Sequence, residues 1–175
     1  MWYEETQVNH LIEAEEHLLR SSNWYAALIV ALSLPDIAGW IDDPMQSSRS
    51  RYSDWFERFV CPYYTGWIDG AEHVILSGDD CFALRCSLLQ EERDIILPQG
   101  ACDALARFQF IAPQQHDQLV HCTQVDNKVR LQVDVFCRDI CKGIAVWLAS
   151  IPRSDTDRRG RLAGLAIIDL GHNGI

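Results

Sequence analysis

Apolar residues recur along this chain mostly with the period of a helix, and strand-like alternation is confined to one stretch in the second half. From Tyr3 to Arg20, Val8, Leu11, Ile12, Leu18 and Leu19 fall at helical spacing with Glu13, Glu15 and Glu16 between them. That pattern predicts an amphipathic surface helix. Ser21, Ser22 and Asn23 offer N-cap residues before the apolar run Trp24 to Leu34, which predicts a second, largely buried helix. Pro35 should kink or end it, with Asp36 to Ile41 able to continue as a further turn before the breaker Asp42-Asp43-Pro44. Tyr52, Trp55, Phe56, Phe59 and Val60 mark a third helix, and Cys61 to Ala71, with Pro62 and two glycines, reads as a loop. Gly100 to Arg107 is a candidate short helix. Phe108 to Ile111 and Val129 to Val133 alternate, Leu119 to Val125 is rich in β-branched residues, and Asp126-Asn127-Lys128 has turn chemistry. A small antiparallel hairpin or three-stranded sheet follows over about residues 108–133. From Asp134 the helical period returns through Phe136, Cys137, Ile140, Ile144, Trp147 and Leu148.

The stretch Leu76 to Glu92 holds the residue most in need of explanation. Ser77 with Asp80 three residues on forms a capping-box-like start, and Asp79 and Asp80 suit the positive end of a helix dipole, so a helix should begin near Asp79. Cys81, Phe82, Leu84, Cys86, Leu88 and Leu89 cover most of its circumference. Arg85 lies among them. A guanidinium cannot shed its proton, so burial obliges it to find a carboxylate, a phosphate or carbonyls. Asp36, Asp54 and Asp79 are the internal partners the sequence offers.

The 175 residues suffice for one domain with a real core, and a hydrophobic fraction of 48% beside 23% charged residues fits a globular chain. The apolar run ending at Pro35 is too short to span a bilayer, and the N-terminus lacks the basic start of a signal peptide, which together predict a cytoplasmic protein without a membrane partner. Seven cysteines, none in C-x-x-C spacing, read as reduced core residues. A net charge of −10 and a pI of about 4.9 exclude a global basic footprint for nucleic acid. Any such site must be local. Arg49, Arg51 and Arg58 near the third helix's aromatics are the RNA-contacting candidates, against the alternative of a solvated face. Arg153, Arg158, Arg159 and Arg161 occupy a tail over residues 150–175, read either as a flexible extension or as an arm for a neighbouring subunit or nucleic acid.

The chain carries no phosphate-cradling glycine loop, no dinucleotide fingerprint, no H-E-x-x-H and no G-x-S-x-G. No cofactor and no metal are expected. The remaining metal alternative would draw on His121, Cys122 and the Cys137-x-x-x-Cys141 pair.

Asn23-Trp24-Tyr25-Ala26-Ala27 on an early helix and Ala83-Leu84-Arg85-Cys86-Ser87-Leu88-Leu89-Gln90 on a later one resemble the HEPN superfamily, and more narrowly a group of bacterial HEPN-like proteins of poorly defined role. The resemblance covers residues 5 to 149 and implies a helical domain over 1–149 with the tail outside it. Active members are metal-independent endoribonucleases, in toxin and defence contexts, whose site forms where two subunits bring their motif helices together. Their arginine is followed by a histidine after about four to six residues. Arg85 matches the arginine, but Gln90, Glu91 and Glu92 fill the histidine window, and Cys86 follows Arg85 where the family often has a polar residue. Gln90 hydrogen-bonds but does not titrate, and a lost acid–base group costs about 10² to 10⁴ in rate. The expectation is therefore a mostly α, HEPN-like bundle with a small antiparallel β-hairpin before the last long helix. Its leading function is an RNA-associated homodimer in which Arg85 contacts phosphate and position 90 marks lost or weakened catalysis. The alternative is a non-enzymatic interaction or scaffold protein, engaging a protein partner, in which Arg85 is structural.

Overall fold

The computed structural model describes residues 6–89, 99–113 and 119–165. Its elements in chain order are helices α1 (Thr6–Arg20), α2 (Trp24–Asp42) and α3 (Ser48–Phe59), a 3-10 turn (Cys61–Tyr64), strands β1 (Thr65–Ile68) and β2 (Ala71–Val74), helices α4 (Gly78–Leu89) and α5 (Gln99–Arg107), strands β3 (Phe108–Ile111), β4 (Thr123–Val125) and β5 (Lys128–Gln132), and helices α6 (Val133–Ser150) and α7 (Thr156–Ala163). The fold is mostly α, with an antiparallel β4–β5 hairpin immediately before the last long helix, α6.

The centre of the fold is α2, which packs against α1, α3, α4, α6 and α7. It does not stop at Pro35. The helix runs on to Asp42, with Pro35 itself buried. Proline there forgoes the bond to the carbonyl one turn earlier. That local loss is outweighed because Leu32, Leu34, Ala38 and Ile41 on both sides of it are buried among neighbouring helices. At 19 residues α2 is long and apolar enough by composition to cross a membrane, unlike the shorter run expected, and half of it is buried inside this bundle.

Around α2 the core is aromatic. Trp55, Trp147, Tyr52, Tyr64, Phe56 and Phe136 are fully buried, and Trp55 meets Trp147 edge to face with centroids 6.4 Å apart. Helix α3 approaches α2 so closely that a Cβ on Gly39 would lie 2.6 Å from the Arg51 carbonyl oxygen. Backbone cannot yield as a flexible side chain does. Gly39→Ala is expected to lower stability by about 2 kcal/mol, read by urea denaturation; an unchanged midpoint would mean that the α2–α3 spacing is slack.

The sheet before α6 departs from a plain antiparallel arrangement. Strand order is β3-β5-β4: β4 pairs antiparallel with β5 through Asp126-Asn127, both at positive φ, while β3 joins the other edge of β5 in parallel. The expected antiparallel stretch over about 108–133 is corrected for Phe108–Ile111, whose return connection passes through β4 before β5 is laid beside it.

A second hairpin occupies part of the expected loop from Cys61 to Ala71. Asp69 and Gly70, with φ of 51° and 79°, make the tight turn, and β1 and β2 pair from Thr65↔Val74 to Ile68↔Ala71. Each strand packs chiefly on the other. All of β2 is exposed, as are Trp67 and Ile68 of β1.

The described part of the tail is not an extension. Residues 156–163 form α7, capped by the Asp155 side chain accepting from the Arg158 N–H. Leu162 is buried, and Arg161 Nε donates to the Ile41 carbonyl at 2.7 Å. That carbonyl belongs to the last turn of α2, where unpaired acceptors and the negative dipole end both favour a guanidinium.

Candidate functional site

Helix α4 starts as its sequence predicts. Ser77 Oγ accepts from the Asp80 N–H at 3.1 Å while Asp80 Oδ2 accepts from the Ser77 N–H at 3.2 Å and the Ser77 hydroxyl at 2.8 Å. This reciprocal cap makes Cys81 and Leu84 face the core and carries Arg85 toward α2 and α3. There Arg85 Nη2 donates to Asp36 Oδ2 at 3.0 Å. The guanidinium carbon lies 5.8 Å from the ring centres of both Tyr52 and Phe82. Arg85 Nε is buried with no acceptor among the described residues.

Asp36 is shared. Its Oδ1 accepts from Arg51 Nε at 2.9 Å and from the Ser48 hydroxyl at 3.1 Å. One carboxylate of α2 thus binds two guanidiniums, from α3 and α4, and all three side chains are about four-fifths buried. Both arginines are held where their charge is fixed, and Asp36 spends its lone pairs on three donors, so it is poorly placed to act as a base. Tyr52, packed beneath, is fully buried with its hydroxyl 3.4 Å from Cys81 Sγ; burial pushes its phenol well above the ordinary range and keeps it neutral.

The other arginines expected to meet RNA are also paired. Arg49 Nε bonds Asp79 at 3.1 Å on the surface. Arg58 Nη2 bonds Asp42 Oδ2 at 2.9 Å and its guanidinium lies over Phe59. Asp42 repeats the Asp36 arrangement at the far end of α2, for it also accepts from Arg158 at 3.2 Å and from the Trp147 indole at 2.9 Å. Between the two nodes opens a cleft of about 500 Å³ lined by Arg51, Arg58 and Arg158 together with Asp42, Asp43 and Asp54. Three cations face three anions there, so the cleft carries no net charge. Arg49 and Arg85 are not on it.

Arg158 is the member that lies in the arginine-rich tail expected over residues 150–175. The signal for it was the Asp155-x-x-Arg158 cap, a local motif that starts a helix. Gln90 lies outside the described residues. The described histidines lie elsewhere: His10 beside Glu13, His17 exposed on α1, His73 exposed on β2, and His121 with Nδ1 accepting from the Gln132 N–H. Among the described residues, no three His, Cys, Asp or Glu side chains gather as a metal site, so His121, Cys122, Cys137 and Cys141 are not brought together as one. Comparison of the chain with protein-family models, with curated proteins and with solved structures finds no match.

Proposed function

We propose that this chain is a non-enzymatic interaction protein in which Arg85 is a structural residue. The observation that carries the reading is the enclosed carboxylate opposite Arg85: Asp36 joins α2, α3 and α4 through two guanidiniums, which accounts for a buried cation without any ligand. The second reading is an HEPN-like RNA-associated protein, related to toxin or defence ribonucleases, acting as a homodimer with lost or weakened catalysis. It is favoured by the convergence of Arg51 and Arg58 with Arg158 on one cleft.

Fluorescence anisotropy with labelled single-stranded RNA in EDTA, followed by a cleavage gel, separates the two readings. We expect neither binding nor cleavage that depends on Arg85 in the wild type, Arg85→Met or Gln90→His. We expect Arg85→Met to lose about 2 kcal/mol of stability, the worth of a charged hydrogen bond in a partly enclosed setting. RNA binding abolished by Arg85→Met in a folded protein would replace the first reading with the second.

A further inference from the structure

The β1–β2 hairpin offers a surface that the bundle does not use. Trp67 is 73% exposed and Val74 is open to solvent on the same face, with Ile68 exposed on the other, on a two-stranded sheet whose two edges are unpaired among the described residues. Exposed apolar side chains gathered on a free strand edge are uncommon on a solitary domain and mark an interaction surface.

The phase of the ladder says which groups are available. The Ile75 N–H donates to the Tyr64 carbonyl at 2.8 Å, so that pair is hydrogen-bonded and alternate pairs follow suit: Gly66↔His73 and Ile68↔Ala71. The pairs Thr65↔Val74 and Trp67↔Glu72 then turn their N–H and C=O groups outward. On the β2 edge these belong to Glu72 and Val74, and the side chains of Trp67, Glu72 and Val74 share one face.

The charge pattern selects the occupant. No Lys or Arg occurs between Arg58 and Arg85, and Asp69 and Glu72 make no ion pair among the described residues. A second copy would set those carboxylates against their duplicates, and nucleic acid would be repelled. A cationic strand gains on both counts, pairing with Glu72 and presenting its charge to the Trp67 indole. We propose that the hairpin docks an extended basic segment of a partner protein, which adds as a third strand along β2 with its cationic side chains on the Trp67–Glu72 face. This rests on the interaction reading above and gives it a surface.

A fluorescein-labelled ten-residue peptide alternating arginine and threonine, titrated with the full chain, tests the proposal. Saturable binding is expected, at least tenfold weaker for Trp67→Ser and for Glu72→Lys, and unchanged for Val146→Ser, an exposed apolar residue on α6. Both hairpin substitutions are on exposed positions of a unit that packs chiefly on itself, so the bundle's melting transition should be retained and can be measured alongside. Equal binding of a glutamate–threonine peptide, or binding indifferent to both hairpin variants, would overturn it. So would a dimer in sedimentation that Trp67→Ser dissociates. The RNA assay fails or succeeds independently, because it turns on Arg85 at the other end of the α4 cap.

Discussion

Asp36→Ala is expected to lower the unfolding free energy by about 3 kcal/mol, at the lower end of the cost of breaking a buried ion pair. The substitution removes one carboxylate and strands two cations: the side chains of Arg51 and Arg85 are 19% and 23% exposed and, among the described residues, have no second carboxylate within ion-pair distance. Neither can neutralise itself by losing a proton, so each must pull toward water and disturb the α2–α3–α4 packing. The remaining exposure lets solvent screen part of the cost, which keeps the figure from the upper end. Asp36→Asn retains one acceptor oxygen and should lose less. Removing one stranded cation as well, in Asp36→Leu with Arg85→Met, should recover part of the loss, because a packed apolar pair of similar volume replaces the ion pair without its desolvation penalty. Guanidinium denaturation of the three variants reads these differences. If Asp36→Ala costs no more than a surface substitution, about 0.5 kcal/mol, the shared carboxylate is not what holds Arg85.

That node was half legible in the sequence. Arg85 announces a buried charge because it stands inside an apolar helical run, and Asp36 is among the few acids near enough in the helical layout to answer it. Its sharing with Arg51 was not legible, because it depends on Gly39 letting α3 approach α2. The Ser77–Asp80 cap could be read because a helix start is decided within four residues. Pro35 misleads because its cost is local while the burial that outweighs it comes from five other helices. The β1–β2 hairpin has a local signal in the sequence, Asp69-Gly70 between Trp67-Ile68 and Ala71, where φ above zero at both turn positions suits this pair. Parallel pairing of β3 with β5 has no such signal, since it is set by a long connection and by packing against α6. Glu15 belongs by its chemistry with the polar residues of α1. By spacing it belongs to the apolar stripe, one turn from Leu11, Ile12, Leu18 and Leu19.

Glu15 gives the second large effect, a stability that falls as pH rises. It is fully buried where α1 packs on α6, and neither carboxylate oxygen has a well-formed hydrogen bond among the described residues, the Cys137 thiol beside it being a weak donor. Glu16, Arg138, Cys141 and Lys142 lie around the same shallow cleft. The two cations there are committed to their own helix, Arg138 to Asp134 and Lys142 to Asp139, each at 2.8 Å. Burial pushes the Glu15 carboxyl up from 4.5 to about 7, against the hydrogen bond from the Cys137 thiol, which lowers it. A raised folded pKa means that the folded state holds this proton more tightly than the unfolded chain. Its stabilising effect is complete below about pH 4.5, declines as pH rises toward 7, and is gone above that. The span corresponds to about 3 kcal/mol. Glu15→Gln removes the titration while keeping the shape, so the difference in unfolding free energy between variant and wild type should move by about 3 kcal/mol in the variant's favour between pH 4.5 and pH 8. Groups common to both proteins cancel in that difference. Urea denaturation at intervals across this range measures it, and a difference that stays constant with pH would show that Glu15 is either hydrated or paired in the folded state. Glu15→Met should go further at pH 8, because it also replaces an unpartnered polar end with one that packs against Leu19 and the α6 face.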